Sequence, residues 1–219
     1  DKLFGEGYKL TPVDEARAVG FVGGTNSDGI LVFSYGFLEG LEKAAAEFDV
    51  TYDYYSKYDA GFSDPAIGST VAGTHFDAGA NIVFADCGVV GDGITSKAKE
   101  VGKLAIQVDA DLDATQPGYI LTSVLKITGV PVDTITRACA SGEIAQMDNL
   151  QSYNLDSGAT GITDMSVIKE HVADQALFDE IIGKVNAVAD QIRSGEIVVT
   201  NAQNGEVLDF ATVPHINVK

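Results

Sequence analysis

The stretch Ile106-Gln107-Val108-Asp109-Ala110-Asp111 is a predicted apolar strand that is followed by two carboxylates. A second apolar strand ends at a lysine in Tyr119-Ile120-Leu121-Thr122-Ser123-Val124-Leu125-Lys126. In an open α/β sheet, the carboxyl ends of the strands border a crevice in which small ligands bind. An acid and a base at such an edge, with no nucleophile or metal cluster beside them, favour a molecule that is held rather than transformed.

Strand and helix patterns alternate on the N-terminal side of these two strands. Strands are predicted at Ala18–Val22, Val50–Tyr55, Asn81–Ala85 and Leu104–Val108. Apolar residues at steps of three and four predict a helix across Ile30–Leu41, and Asp64-Pro65 is a capping pair that opens a helix to about Ala78. A further helix is predicted at Asp92–Val101. Four βα units in this order predict a parallel, doubly wound sheet with helices on both faces.

The regular alternation of strand and helix patterns ends after Lys126. A helix is predicted from Pro131 to Cys139, ending near Gly142, and a long amphipathic helix from Asp174 to Ser194. Short strands are predicted at Asp148–Tyr153 and Ile197–Val199, and a loop at Ser157–Gly161. The tail after Asn201 has no clear period.

Composition narrows the possible partners. The 219 residues include 14 basic and 32 acidic ones, a formal net charge of −18, and 45% are hydrophobic. The charge disfavours binding to nucleic acid and to anionic membrane surfaces, because the long-range field repels both. No run of 18 apolar residues is present, so no membrane-spanning helix is predicted.

The residues that usually carry catalysis or bind metals are not clustered. His75, His171 and His215 lack metal-ligand spacing, and the spacing of Cys87 and Cys139 rules out a zinc knuckle. The two cysteines are predicted to be buried free thiols, with a disulfide as the alternative. No serine lies in a nucleophile elbow. Asp109 and Asp111 are two residues apart and would point the same way on a strand, but the sequence places no base next to them for acid–base catalysis. We therefore expect no catalytic residue, no metal and no cofactor.

Two loops are candidates for ligand contact. The glycine-rich turn Gly88-Val89-Val90-Gly91-Asp92-Gly93 follows a strand and precedes a helix, so its backbone N–H groups could approach a ligand, although a plain tight turn is the alternative. Phe62 follows Gly61 just before the Asp64-Pro65 helix start. An aromatic ring there can stack on a planar ring, or it can plug the core.

Several motifs in sequence order carry a resemblance to one family. They are Gly20-Phe21-Val22-Gly23-Gly24, Phe33-x-x-Gly36-Phe37-x-x-Gly40, Phe62-Ser63-Asp64-Pro65-Ala66-x-Gly68, Gln107-Val108-Asp109-Ala110-Asp111 and Leu121-Thr122-Ser123-Val124-Leu125-Lys126. The chain resembles the basic membrane protein (BMP) family of solute-binding lipoproteins, which serve ABC importers and are similar to purine-nucleoside receptors. The resemblance covers most of residues 18–200.

The resemblance implies a type I periplasmic-binding-protein fold, in which two α/β lobes close on a nucleoside. Phe62 would stack on the base, and Gly88, Val89 and Val90 would line the base pocket with backbone. Asp109 would accept hydrogen bonds from ribose hydroxyls; Asp111, two residues on, is a further ligand-binding candidate from the sequence pattern. Lys126 would add a hydrogen bond from the hinge side. The implied partners are a small solute, a purine nucleoside above all, and the permease subunits of an ABC transporter.

The family has a long first-lobe segment before its Gly-Phe-Val-Gly-Gly motif, and here only Asp1 to Val19 precede it. We therefore expect that the chain lacks most of the N-terminal lobe, with 1–18 a remnant or linker and 19–125 the second α/β lobe. Residues 126–219 would be the crossover segment, the helices that return to the hinge and first lobe, and the tail. Apolar surface should be exposed, or covered by a partner chain, from Pro131 onward.

Asp1 is not a natural start, so we expect that a leader or lipid anchor has been removed. The resemblance implies an extracytoplasmic protein at the cell surface or in the periplasm, held to the membrane only by that anchor. Two other functions stay open on the sequence. One is a sugar- or nucleotide-processing enzyme on a similar sheet, which would need a nucleophile or metal constellation near Asp109. The other is a ligand-sensing regulator, for which a DNA-binding motif would be expected.

Overall fold

The computed structural model describes residues 3–219, so part of the predicted remnant 1–18 lies outside the described residues. The elements are, in chain order, β1 (Ala18–Gly23), α1 (Asp28–Glu47), β2 (Tyr52–Lys57), α2 (Pro65–Asp77), β3 (Ala80–Asp86), α3 (Val90–Val101), β4 (Leu104–Asp109), β5 (Ile120–Lys126), α4 (Gly129–Ser141), β6 (Thr160–Ile162), α5 (Ser166–Lys169), α6 (Gln175–Arg193) and β7 (Ile216–Val218). Short 3-10 turns lie between some of them.

The seven strands form one sheet in the order β6-β5-β4-β3-β1-β2-β7. Every pair is parallel except β5 with β6. The inner order β2-β1-β3-β4-β5 is that of a flavodoxin-like doubly wound sheet, whose topological switch point lies between β1 and β3. The predicted parallel α/β sheet is confirmed.

Helices cover both faces of the sheet. One core cluster joins β1 and β3 to α2 and α3 through Val22, Val83 and Ile94. The opposite face packs Phe21 and Phe84 against α1, where Leu38 is fully buried. A third cluster places α5 and α6 against the same side of the sheet through Ile168 and Phe178.

Local signals explain the helix boundaries that the sequence predicted. Asp64 accepts the backbone N–H of Ala66 at 2.9 Å, and Pro65 occupies the first position of α2. Asp174 caps α6 in the same way, by accepting the N–H of Leu177 at 2.9 Å. The end of α4 is set by Gly142, whose φ of 79° lies in the left-handed region.

Three predictions for the C-terminal part are wrong. Residues 148–153 and 197–199 form no strand, and the last strand is instead β7, which pairs with β2 from inside the tail that showed no period. Thr160 and Gly161, predicted as loop, belong to β6. Short edge strands of three residues are decided by an available neighbour rather than by their own pattern. Cys87 is buried and free as predicted, but Cys139 is exposed on α4.

The segment from Pro131 onward exposes apolar side chains, as the sequence predicted. Ala138 is the one buried residue of α4, while Val132 and Ile135 on that helix are exposed. Leu150 and Val198 are also exposed. Among the described residues, no helix combines the length and the apolar character that crossing a bilayer requires.

Candidate functional site

Phe62 lies in a loop that is tied to the end of β1. Gly61 has a φ of 71°, a conformation that glycine adopts without strain, and its N–H donates to the carbonyl of Gly24 at 2.9 Å. The ring of Phe62 rests on Gly24, yet the residue keeps 47% of its surface exposed. Phe62 is therefore not a plug of the core, and a planar ligand could reach one face of its ring.

The glycine-rich turn after β3 meets the same loop. The backbone N–H of Val89 donates to the carbonyl of Phe62 at 3.0 Å, and Gly88 adopts a φ of 56° beside it. The structure therefore brings Phe62, Gly88 and Val89 together. Val90 is different, because its side chain is fully buried in the core against α2 and its carbonyl abuts Gly68. Val90 presents no surface at this edge.

Asp109 and Lys126 form an ion pair at the ends of the adjacent strands β4 and β5. Nζ of Lys126 lies 2.6 Å from Oδ1 of Asp109, and about half of each side chain is exposed. Asp109 ends its strand with a φ of 76°, an unusual conformation for a residue other than glycine. Such outliers cluster at functional sites, and this one turns the chain away from the strand direction immediately after the carboxylate.

Asp111 is not brought into this pair. Its Oδ1 accepts the backbone N–H of Asp113 at 3.2 Å, which is the local turn typical of aspartate. Because β4 ends at Asp109 with a positive φ, the strand alternation that would point both carboxylates the same way does not continue. The ligand-binding role predicted for Asp111 from its spacing to Asp109 stays a prediction.

Asp86 is a member of this edge that the sequence reasoning missed. It ends β3, next to β4, and only 5% of its surface is exposed. Burial and, to a smaller extent, the nearby Asp109 carboxylate raise the pKa of Asp86 to about 7, against the opposing effect of Lys126. The signal was in the sequence, because Asp86 follows an apolar strand in the same way as Asp109.

The arrangement is suited to holding a ligand rather than to covalent chemistry. Cys87 follows Asp86, but burial together with the Asp86 and Asp92 carboxylates raises the pKa of its thiol to about 12, so the reactive thiolate is suppressed. In the described part of the chain, His, Cys, Asp and Glu side chains do not assemble in threes or more around a possible metal position. The half-exposed ring of Phe62 and the half-exposed Asp109–Lys126 ion pair can both contact a solute at this edge.

Comparisons with known proteins find a matching family model and several similar chains. The Bmp family, described as ABC transporter substrate-binding protein PnrA-like, matches residues 7–202. The chain is similar to basic membrane protein A of Borreliella afzelii, with 29% identity over 157 residues, which are 71% of this chain and 47% of the relative. It is also similar to the ABC transporter nucleoside-binding protein BmpA of Lactococcus lactis subsp. cremoris, with 29% identity over 199 residues, 82% of this chain and 55% of the relative.

Two solved structures resemble the fold. An ABC transporter solute-binding protein from Aeropyrum pernix K1 superposes with a TM-score of 0.69 at 22% identity, and one from Conexibacter woesei with 0.63 at 20%. Each superposition covers 85% of this chain and 58% of the other. The chain spans about half the length of the curated relatives it matches.

Proposed function

The chain belongs to the Bmp family of PnrA-like ABC transporter substrate-binding proteins, and from that premise we propose that it contributes one half of an extracytoplasmic receptor that binds a purine nucleoside and delivers it to an ABC permease. Residues 19–125 would be the second lobe of this receptor, and 126–219 the crossover, returning helices and tail. A lipid anchor would hold the complete protein at the cell surface or in the periplasm.

One observation carries the proposal. The half-exposed ring of Phe62, the Gly88-Val89 turn and the Asp109–Lys126 pair all lie at the carboxyl edge of consecutive strands around the β1/β3 switch point. An aromatic face provides apolar contact with a flat base, and a carboxylate with free surface can accept hydrogen bonds from sugar hydroxyls. The printed name of the Lactococcus relative, nucleoside-binding, points to the same ligand class.

The two alternative functions receive less support. An enzyme would need an activated nucleophile near Asp109, whereas the thiol of Cys87, next to Asp86 in sequence, is buried and has a raised pKa. A regulator would need a nucleic-acid surface, whereas the net charge of −18 repels a polyanion. Neither alternative is favoured by a specific arrangement of residues at this edge.

The proposal is tested by the ligand preference of the intact protein. Thermal unfolding would be followed with inosine, guanosine, adenosine, cytidine, ribose, glucose and two amino acids, since a ligand of the native state raises the midpoint. We expect the purine nucleosides to give the largest shifts. A midpoint raised only by sugars or amino acids would contradict the purine-nucleoside assignment.

Asp109 supplies the matching variant. Asp109→Asn should weaken inosine binding by a factor of roughly 10–150, because a hydrogen bond to a charged group is worth about 1.5–3 kcal/mol. Asp133→Asn is the control, because Asp133 also forms an exposed ion pair, with Arg137 on α4. Equal binding by wild type and both variants would remove Asp109 from the site.

A further inference from the structure

Asp86 occupies the position in this sheet where the topology most favours a ligand. It is the last residue of β3, and its partner in register on β1 is Gly23. The switch point of a β2-β1-β3-β4-β5 sheet lies between these two strands. The backbone carbonyl of Asp86 accepts the N–H of Gly24 at 3.0 Å, so the carboxyl-bearing residue is fixed directly beside the glycine on which Phe62 rests.

Strand alternation gives the direction of the Asp86 side chain. Phe84 on β3 and Val124 on β5 both pack into the core cluster on the α1 face of the sheet. Side chains two residues apart on a strand share a face, so Asp86 and Lys126 follow Phe84 and Val124 on that same face at the carboxyl edge. Asp86 is therefore on the side of the sheet that carries the cation of the site.

The carboxyl group lacks the partner that burial demands. Only 5% of Asp86 is exposed, and its Oδ2 is buried with no hydrogen-bond partner among the described residues. An unsatisfied buried acceptor is costly, and native structures usually satisfy such groups with protein, water or a ligand. The nearby cation does not resolve this, because Nζ of Lys126 lies 2.6 Å from Asp109.

The charged groups that act on Asp86 lie on the next two strands of the sheet. Asp109 on β4 raises the pKa of Asp86, and Lys126 on β5 lowers it. Cys87 follows Asp86 in sequence with a buried thiol, and Asp92 on α3 acts on that thiol. Across the sheet, Tyr58 lies beside Gly23, but its hydroxyl is bonded to that of Ser34 at 2.6 Å. Among the described residues at the carboxyl ends of β1 and β3, the carboxyl of Asp86 is thus left without a hydrogen-bond partner for Oδ2.

We propose that Asp86 is a further ligand-binding residue of this site: its ionised carboxylate accepts a hydrogen bond from an O–H or N–H group of the bound solute. The inference deepens the proposed function and rests on it. The ligand class is then one that presents a hydrogen-bond donor at the switch point, as the sugar hydroxyls or ring N–H of a nucleoside do.

The proposal requires that affinity rises with pH. A ligand that binds only the ionised form has an apparent affinity proportional to the ionised fraction. With the pKa of Asp86 raised to about 7 in the free protein, the Kd for inosine should be about tenfold lower at pH 8 than at pH 6. At pH 7 binding should release about half a proton per site.

The test is isothermal titration calorimetry of the intact protein with inosine at pH 6, 7 and 8, with the pH 7 titration run in both phosphate and Tris. The two buffers differ in ionisation enthalpy, so the difference in measured heat counts the protons released. Asp86→Asn should bind inosine with no pH dependence and no proton release. Asp14→Asn, which removes an exposed carboxylate, should keep the pH dependence of the affinity and the proton release of the wild type.

The possible outcomes separate this inference from the proposed function. Inosine binding with a flat pH profile, or with an affinity that falls as pH rises, overturns the role of Asp86 and leaves the nucleoside receptor standing. No binding of inosine at any of the three pH values overturns the proposed ligand and the inference that rests on it. If Asp86→Asn does not fold, the wild-type slope and proton count still decide between these results.

Discussion

The ring of Phe62 lies so close to Gly24 that a Cβ at position 24 would overlap ring carbons Cδ1, Cε1 and Cζ. The same glycine donates its N–H to the carbonyl of Asp86 and accepts the N–H of Gly61 through its own carbonyl. Gly24 therefore holds the aromatic loop against the ends of β1 and β3 by both shape and hydrogen bonding. A larger residue at this position would have to move the Phe62 ring away from the site.

Gly24→Ala should weaken inosine binding about tenfold or more, because overpacking costs ~1–3 kcal/mol and here displaces the ring that contacts the ligand. The measurement is the Kd by calorimetry, with the unfolding midpoint followed in parallel. Gly29→Ala is the control, because a Cβ on Gly29 in α1 meets no atom within 4 Å. Unchanged affinity in Gly24→Ala would show that the Phe62 ring position does not matter for binding.

Phe62→Ala should reduce affinity for inosine by a factor of roughly 5–150, since stacking of a base on an aromatic ring is worth about 1–3 kcal/mol. Phe62→Tyr should keep most of the affinity, because it keeps the ring. Phe210→Ala removes a comparably exposed ring in the C-terminal tail and should leave binding unchanged. Equal affinities for Phe62→Ala and Phe210→Ala would argue against stacking.

Lys126 should matter for binding much more than for folding. Its ion pair with Asp109 is half exposed, and such pairs contribute about 0–1 kcal/mol to stability. Lys126→Gln should therefore shift the free energy of unfolding by less than about 1 kcal/mol and lower inosine affinity about tenfold. Lys57→Gln, which breaks an exposed pair with Asp59 at the end of β2, is the control for a general loss of positive charge. Urea unfolding measures the change in stability, and calorimetry measures the Kd for inosine.

Local signals made most of the βα region predictable. Pro65 with its capping aspartate fixed the start of α2, and the apolar runs of β1, β3, β4 and β5 placed the strands to within two residues. The strand β7 escaped prediction because its three residues are ordered by pairing with Tyr52–Tyr54 on β2, a contact that the sequence does not encode locally. Asp86 was missed although it follows an apolar strand as Asp109 does. What distinguishes Asp86 is the burial of its carboxyl group, which only the packed structure reveals.

The contact between α2 and α3 gives a matched pair of glycine predictions. A Cβ on Gly68 would overlap the carbonyl oxygen of Val90, which is backbone and cannot move aside cheaply. Gly68→Ala should lower the free energy of unfolding by about 1–3 kcal/mol. In the same helix, Gly73→Ala meets its nearest atom, Cε of Lys97, at 3.7 Å and should raise stability by roughly 0.5–1 kcal/mol. Urea unfolding of the two variants should therefore change in opposite directions, and equal shifts would contradict the close approach of the helices.

Two buried titratable groups should act on stability in opposite directions as pH changes. Burial lowers the pKa of His75 on α2 to about 4, below its ordinary value of 6.5. Between pH 6.5 and about pH 4, the unfolded chain therefore binds a proton at His75 that the folded chain does not bind. Through this difference, His75 should lower the free energy of unfolding by about 2 kcal/mol as the pH falls from 7 to 5. The raised pKa of Asp86 has the opposite sign, because the folded state holds the extra proton. Asp86 should therefore raise stability by about 2 kcal/mol over the same interval.

The two contributions nearly cancel in the wild type, and single variants should separate them. His75→Gln removes the acid-sensitive group, so its stability relative to wild type should improve as the pH falls from 7 to 5. Asp86→Asn should show the reverse, gaining stability relative to wild type at pH 8, where the buried carboxylate is ionised and unpartnered. Urea unfolding at pH 5, 7 and 8 measures both, with Asp14→Asn as the exposed-carboxylate control. Parallel pH profiles for wild type and both variants would mean that neither group is as buried in solution as the packing of β3 and α2 requires.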